Sequence, residues 1–248
     1  MSELSAILIL FSAGIIGGFM NVMAGGGSTF TLPALIFMGL DSALANGTNR
    51  IAVIAQNIPA VYVFKKEKDH QLKLSFKMAI MTLPGAIAGA LVAIEMGDEL
   101  FQKILGVVII CVIILLIIPN PKFNSTSSNT KIPWTLHLSM LGIGFYGGFM
   151  QVGVGFLLMA SIQYLMKLNL LYVNMHKVFI VLVFMIPSLI VFWVSGNVNW
   201  KLGLILAAGN ALGGWTAAKI SIKKGEKVIK AALIICVFIM ALKLWKVF

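Results

Sequence analysis

The sequence predicts an all-α integral membrane protein. It is read as two inverted repeats of about five apolar elements each, with a broken or re-entrant helix after element 1 and after element 6. Three observations predict this. Of 248 residues, 60% are hydrophobic and 11% are charged, where a soluble domain carries roughly a quarter charged residues; the mean hydropathy is +1.00. The apolar residues fall in long runs between short polar breaks, the pattern of helices solvated by lipid. Short motifs of the first half recur in order in the second. A β-barrel would instead show short segments of alternating polarity, whereas Ile104–Ile118 is apolar on every face.

Five apolar elements precede residue 120, at roughly 4–23, 29–40, 46–64, 74–94 and 100–118. A polar stretch, Asn124-Ser125-Thr126-Ser127-Ser128-Asn129-Thr130, follows between Pro121 and Pro133 and has the composition of a connection. Five more elements run at roughly 134–152, 154–166, 172–195, 200–219 and 228–247. The chain therefore divides into a first repeat (1–119), a linker (120–133) and a second repeat (134–248), together one membrane domain. Gly17-Gly18-Phe19-Met20-Asn21-Val22 matches Gly147-Gly148-Phe149-Met150-Gln151-Val152. Ile58-Pro59-Ala60 matches Ile186-Pro187-Ser188, and Ile109-Ile110-Cys111-Val112 matches Ile234-Ile235-Cys236-Val237. Three matches in the same order, with similar element lengths, indicate an internal repeat.

The formal charge of +11 does not point to nucleic acid, because the lysines stand in the breaks between apolar runs, where topology signals belong. With the N-terminus outside and five passes per half, cytoplasmic breaks hold Lys65, Lys66, Lys68, Lys73, Lys77, Lys122, Lys131, Lys167, Lys177, Lys219, Lys223, Lys224, Lys227 and Lys230. The external side holds Arg50, Lys103, Lys201, Lys243 and Lys246. This divides the 19 basic residues fourteen to five, a strong positive-inside bias. Merging elements 1–2 and 6–7 into single crossings gives parallel halves and a division of ten to nine, so the inverted arrangement fits better. Both termini are then external and the linker cytoplasmic. The N-terminus does not read as a cleavable signal, since Met1–Ser5 carries no positive charge and the sequence near Gly25 leads into more membrane segment. Cys111 and Cys236 lie in apolar runs and imply neither a metal site nor a disulfide.

The first candidate site is the glycine break. Ala24-Gly25-Gly26-Gly27-Ser28-Thr29 interrupts the apolar sequence, and the element after it rises only about 17 Å against about 30 Å of hydrocarbon. Non-helical backbone at that depth must be buried in protein or line a wet cavity. Consecutive glycines admit positive φ and close approach. The N–H groups of Gly25, Gly26 and Gly27, with the helix start near Ser28 and the hydroxyls of Ser28 and Thr29, suit an anion. Gly17 and Gly18 read as packing positions. The second candidate is Asn46-Gly47-Thr48-Asn49-Arg50, with Gln56 and Asn57 beyond it. Arg50 has two readings, an oxyanion fork or an interfacial anchor whose head snorkels to water. Asn46, Thr48 and Asn49 also suit helix caps.

The second half carries a related set. Gln151, Gly153 and Gly155 replace Asn21, Met23 and Gly25, while Asn174, His176 and Lys177 fall where Asn46, Thr48 and Asn49 fall. His176 reads first as a structural hydrogen-bonding residue and second as a titrating group. No acid lies deep in an apolar run, as Asp41, Glu95, Asp98 and Glu99 all stand in external breaks. A carboxylate proton relay is therefore unsupported. No nucleophile–base pair, zinc spacing or P-loop is present, which argues against a membrane enzyme and against an ATP-driven pump in this chain. No cofactor is implied.

The same residues carry a family resemblance. Gly-Gly-Gly-Ser-Thr-Phe-Thr-Leu-Pro-Ala-Leu at 25–35, then Gly39-Leu40 and Ala45-Asn46-Gly47-Thr48-Asn49, resembles the TauE/SafE family, and the likeness covers essentially the whole chain. It implies a transporter of the bacterial-type inner membrane for sulfur-containing anions such as sulfite, sulfoacetate and other organosulfonates, generally for export. The glycine run, Thr48 and Asn49 are the positions onto which the family pattern maps. The second copy departs from it, with Gly153-Val154-Gly155-Phe156 in place of a triple glycine and Gln163 in place of Pro33. The expected partners are a small anion and the bilayer, with self-association compatible and nucleic acid excluded. Alternating access by a carrier is the leading reading; an anion channel, or a carrier of another small organic anion, is the alternative. A negative-inside potential favours anion exit by about 2.3 kcal/mol per charge per 100 mV, so export needs no relay.

The charge division predicts that 65–77, 120–133 and 219–230 face the cytoplasm. Single cysteines placed at 65–77 should resist an impermeant thiol reagent applied to intact cells, while cysteines at 95–99 react. Strong outside labelling of 65–77 would exclude the inverted arrangement.

Overall fold

The computed structural model describes residues 3–67, 71–104, 106, 107, 132–225, 228, 229 and 231. Most of the predicted elements at 100–118 and 228–247, nearly all of the linker, and both cysteines lie outside the described residues. The described chain is helical: α1 Glu3–Met23, α2 Ser28–Phe37, α3 Ser42–Glu67, α4 Leu72–Ile94, α5 Trp134–Phe149, α6 Val154–Met166, α7 Leu170–Val194 and α8 Trp200–Lys224. Further helical turns occupy 98–104.

Among the described residues, α1, α4 and α7 are long and apolar enough to cross a membrane by length and composition. Helices α3 and α8, of 26 and 25 residues, have the length but carry polar side chains that lower their hydropathy. Helices α2 and α6, of 10 and 13 residues, rise about 15 and 20 Å and are too short to cross alone. Prolines 33, 59, 84 and 187 all lie inside helices, which membrane helices tolerate because neighbouring groups re-satisfy the freed carbonyls. Large apolar side chains such as Leu8, Ile16, Phe37, Ile87, Leu138 and Trp193 are exposed, as expected of surfaces solvated by acyl chains.

Local chemistry explains several boundaries. Asn169 and Asn199 cap α7 and α8, their side-chain oxygens accepting from the N–H of Tyr172 and Leu202. Helix α3 begins at Ser42, four residues before the predicted start at 46. Its first free N–H, on Ser42, donates to Asp98 Oδ1 at 2.7 Å, a cap delivered from 56 residues away. Hydrogen bonding to Ser42 holds the Asp98 carboxyl below the usual carboxylate range.

Two crossings set the architecture. Helices α1 and α8 meet backbone to backbone. A Cβ on Gly14 or Gly18 would lie 2.5 or 2.3 Å from the carbonyl oxygen of Leu206 or Asn210, and one on Gly209 or Gly213 would lie 2.2 or 2.1 Å from that of Phe11 or Ile15. Helices α4 and α5 meet the same way. Cβ atoms on Gly85, Gly89, Gly144 and Gly148 would fall 2.0–2.2 Å from the carbonyl oxygens of Leu141, Phe145, Thr82 and Ala86. Small residues four apart allow this approach, which dispersion rewards where lipid supplies no hydrophobic drive. In both crossings the residue numbers rise together, so the paired helices run in the same direction. Around them α3 packs on α8 and on α7, and α4 packs on α7. Exchanging the two halves maps this set of neighbours onto itself.

Hydrogen bonds sort the helix ends into two groups. At one end Lys201 pairs with Glu3 (2.7 Å), Asn199 N–H donates to Thr48 Oγ1 (2.9 Å) and Ser42 meets Asp98. At the other, Ser75 Oγ and His176 Nδ1 lie 2.7 Å apart. Helices α1, α3 and α8 run from the first end toward the second; α4, α5 and α7 run the opposite way. The first end carries exposed acids and two lysines, Lys103 and Lys201, each paired with a glutamate. The second carries exposed Lys65, Lys66, Lys73, Lys77 and Lys167.

The crossings predict a sharp positional contrast on α5. Gly144→Ala should lower the melting temperature and yield in detergent, because its Cβ meets backbone at 2.2 Å. Gly142→Ala, two residues away and facing open space, should be neutral or slightly stabilising, since alanine has the higher helix propensity. Equal melting temperatures for the two variants would disprove the close crossing.

Candidate functional site

The two helix breaks face each other, Gly25 against Gly155. Between α1 and α2 the chain turns at Gly25 (φ 94°), and between α5 and α6 it turns at Gln151 (φ 55°) and Gly153 (φ 73°). Gln151 is one of two non-glycine residues with positive φ among the described residues, a conformation that is uncommon and concentrates at ligand sites. The breaks touch through backbone. A Cβ on Gly25 would lie 2.6 Å from Gly155 Cα, and one on Gly155 2.3 Å from Gly25 Cα. Only glycine fits on either side.

Each break ends a helix whose last carbonyls have no intrahelical donor. A cation from the opposite half meets each set. Lys177 Nζ, on α7, donates to the carbonyl oxygens of Asn21 (2.9 Å) and Val22 (2.8 Å) in the last turn of α1. Arg50, on α3, donates from Nη1 to Gly147 O (3.3 Å) and from Nη2 to Gly148 O in the last turn of α5. Its guanidinium carbon lies 4.3 Å from the centre of the Phe192 ring. Both residues are buried, Arg50 at 0% and Lys177 at 2% exposure. A cation at a helix C-terminus is favoured by the macrodipole, most strongly out of water. The five carboxylates whose burial is described, Glu3, Asp41, Glu95, Asp98 and Glu99, are all exposed, so neither cation has a buried acidic partner among the described residues.

Beside the breaks lies a cavity of about 10 Å³, lined by Asn21, Ser28, Val53, Asn57, Gln151, Val154, Gly155, Lys177, Val181 and Met185. That is room for about one water. The wall mixes polar side chains with three valines and a methionine. Two polar atoms at or next to this wall are without a protein partner among the described residues, Gln151 Oε1 and Asn49 Oδ1. Buried polar atoms are normally paired, with protein or with water.

The structure divides the residues singled out from sequence. Asn21, Ser28, Gln151, Gly155 and Lys177 line the cavity. Asn49 stands behind it, its Nδ2 donating to Ser28 Oγ at 3.2 Å. Gly25 packs against Gly155, and Gly27 against Gly17, where a Cβ would lie 1.9 Å from the Gly17 oxygen. Gly26 accepts the hydroxyl of Thr29 at 2.6 Å, which closes the turn into α2. Asn46 and Arg50 clamp α5, as Asn46 Nδ2 donates to Phe149 O at 2.7 Å and Gln151 Nε2 returns to Asn46 O at 3.2 Å. Thr48 ties down Asn199, and His176 is held by Ser75. Gly153 starts α6 in the left-handed region. Asn174 is fully buried one turn before Lys177.

Two residues counted as topology signals therefore sit elsewhere. Arg50 and Lys177 belong to the interior of the bundle, about 12 and 10 Å along their helices from opposite ends. Without them the lysine and arginine division is thirteen to four, in the same sense. The lining residues Val53, Val154, Val181 and Met185 carry no signal that separates them from other apolar residues. Asn57 stood in the polar cluster, and its place in the wall could have been found by following that helix face from Asn49 through Val53.

The geometry makes Arg50 a clamp whose loss reads out in stability. Arg50→Met should lower unfolding free energy by about 1.5–3 kcal/mol, the range for hydrogen bonds to a charged group. Arg50→Lys should recover part of that, since it keeps the charge and loses the fork. Detergent denaturation checks both, and a wild-type midpoint for Arg50→Met would remove the clamp.

Comparison with known proteins shows the family. The family described as Sulfite exporter TauE/SafE matches residues 10–244. A probable membrane transporter protein of Haemophilus influenzae is 26% identical over 240 residues, covering 96% of this chain and 94% of its own length. The probable membrane transporter protein ORF9 of Sinorhizobium sp. is 28% identical, covering 96% and 92%, and YfcA of Escherichia coli, also named a probable membrane transporter, is 26% identical, covering 95% and 88%. No solved structure matches. With both helix breaks, both crossings and the cavity inside the matched span, the chain belongs to the sulfite exporter TauE/SafE family of membrane proteins.

Proposed function

We propose that this membrane protein is a secondary transporter that exports a small sulfur-containing anion, such as sulfite or an organosulfonate, by alternating access. The observation that carries the reading is the placement of Lys177. Lys177 lines a cavity at the two helix breaks, beside Ser28, Asn21, Asn57 and Gln151. A tetrahedral or pyramidal oxyanion needs several donors around one positive charge, and this wall has an amine, a hydroxyl and three carboxamides.

With room for about one water, the cavity must widen to take a sulfur oxyanion in this reading. The Gly25–Gly155 contact is the natural place, because backbone touching backbone there leaves no interlocked side chains to unpack. The opposite directions of α1 and α5, of α3 and α7, and of α4 and α8 support reading the chain as inverted repeats, a construction that lends itself to alternating access. The lysine distribution supports both termini outside and the linker in the cytoplasm of a bacterial-type inner membrane. Thr48 and His176, whose partners are structural, act in this reading as scaffold.

Purified full-length protein in liposomes tests the function. Sulfite and isethionate flux should saturate and carry charge; flux that rises linearly with concentration would instead indicate a channel. Lys177→Met should weaken binding of the transported anion at least tenfold, the equivalent of about 1.4 kcal/mol, while Lys177→Arg retains most of it. Thr48→Val should lower the melting temperature without changing affinity. Unchanged affinity in Lys177→Met would refute the site.

A further inference from the structure

The two half-helix ends pose an electrostatic problem whose solution bears on energy coupling. A helix that stops inside a membrane leaves carbonyl oxygens and the negative end of its dipole with no water to meet them. In carriers with discontinuous helices, unwound carbonyls and half-helix C-terminal ends are the places that hold the coupling sodium ion or proton. Here both ends are met by side chains. Lys177 Nζ lies 2.9 and 2.8 Å from Asn21 O and Val22 O, and Arg50 donates to Gly147 O and Gly148 O. An alkali ion would have to displace an amine or a guanidinium to reach these oxygens, and the two like charges would repel at that range.

We propose that Lys177 and Arg50 are tethered cations standing where a coupling metal ion would sit, so that the chain binds and moves its anion without sodium or potassium. The inference rests on the transport reading for its substrate arm, but its ion-binding arm is independent of it. The two cations differ in duty. Arg50 is locked by two carbonyls and the Phe192 ring, and it is absent from the cavity wall. Lys177 lies in the wall, so an arriving oxyanion competes with the α1 carbonyls for its N–H groups. Occupancy by the anion thereby loosens the tie between α7 and the end of α1, a tie that spans the two halves. The positive charge stays with the protein, so every anion that crosses carries its own charge across the membrane.

The experiment uses full-length protein in detergent and in liposomes, with chloride salts of sodium, potassium and N-methylglucamine. In the first arm, without sulfur anions, sodium and potassium should shift the melting temperature no more than N-methylglucamine at equal ionic strength. A saturable shift specific to sodium or potassium would overturn the proposal, whatever the substrate. In the second arm, sulfite and isethionate affinities and fluxes should agree within about twofold in all three salts, and a tenfold or greater dependence on either alkali ion would overturn it. Lys177→Met should lose the anion response in every salt, while Lys177→Arg keeps it; an anion response that survives Lys177→Met unchanged would remove the tethered-cation role of that residue. If neither anion binds wild-type protein in any salt, the substrate reading fails, and the first arm still decides the ion question.

Discussion

The structure depends on one reciprocal contact, in which a cation from each half of the chain meets the broken helix end of the other half. A helix end buried in the bundle leaves carbonyls without an intrahelical donor. Lys177 meets those of Asn21 and Val22, and Arg50 meets those of Gly147 and Gly148. Each pairing also offsets the desolvation of the cation, which has no buried carboxylate beside it among the described residues. Without the cations the breaks would be costly, and without the breaks the cations would have no reason to be buried.

The glycine crossings make this contact geometrically possible. Backbone contact between α1 and α8, and between α4 and α5, draws the helices close enough for single side chains on α3 and α7 to span to the opposite half-helix. The same thinness brings Gly25 onto Gly155 and leaves the small cavity beside them. The carbonyls of Asn21 and Val22 anchor Lys177 beside the cavity, and those of Gly147 and Gly148 hold Arg50 away from it.

The polar clusters read from sequence sort accordingly. Those nearest the cavity, Asn21, Ser28, Gln151 and Lys177, line it, and Asn49 stands behind Ser28. Those farther out have been taken up by structure: Thr48 holds the turn before α8, His176 binds Ser75, Thr29 closes the turn into α2 and Asn46 fastens α5. Residue type does not separate the two groups, since threonine and asparagine are as good at capping as at binding.

What the sequence by itself determined is what depends on short range. Apolar length and breaks located α1, α4 and α7, and glycine density located the interruption before Ser28. The matched motifs placed the second break opposite the first, and the lysines sorted the helix ends. These follow from the bilayer, which imposes length and polarity on each segment separately. Only the tertiary structure decided the rest, because it depends on which segments meet. The glycine run became a backbone contact once Gly155 arrived against it. Asp98 extended α3 to Ser42 from 56 residues away. Arg50 and Lys177, legible as charges in or near apolar runs, acquired their roles only when α3 and α7 brought them to carbonyls 97 and 156 residues distant in the chain. A buried charge is tolerated by its partners, and no local pattern names partners that far away.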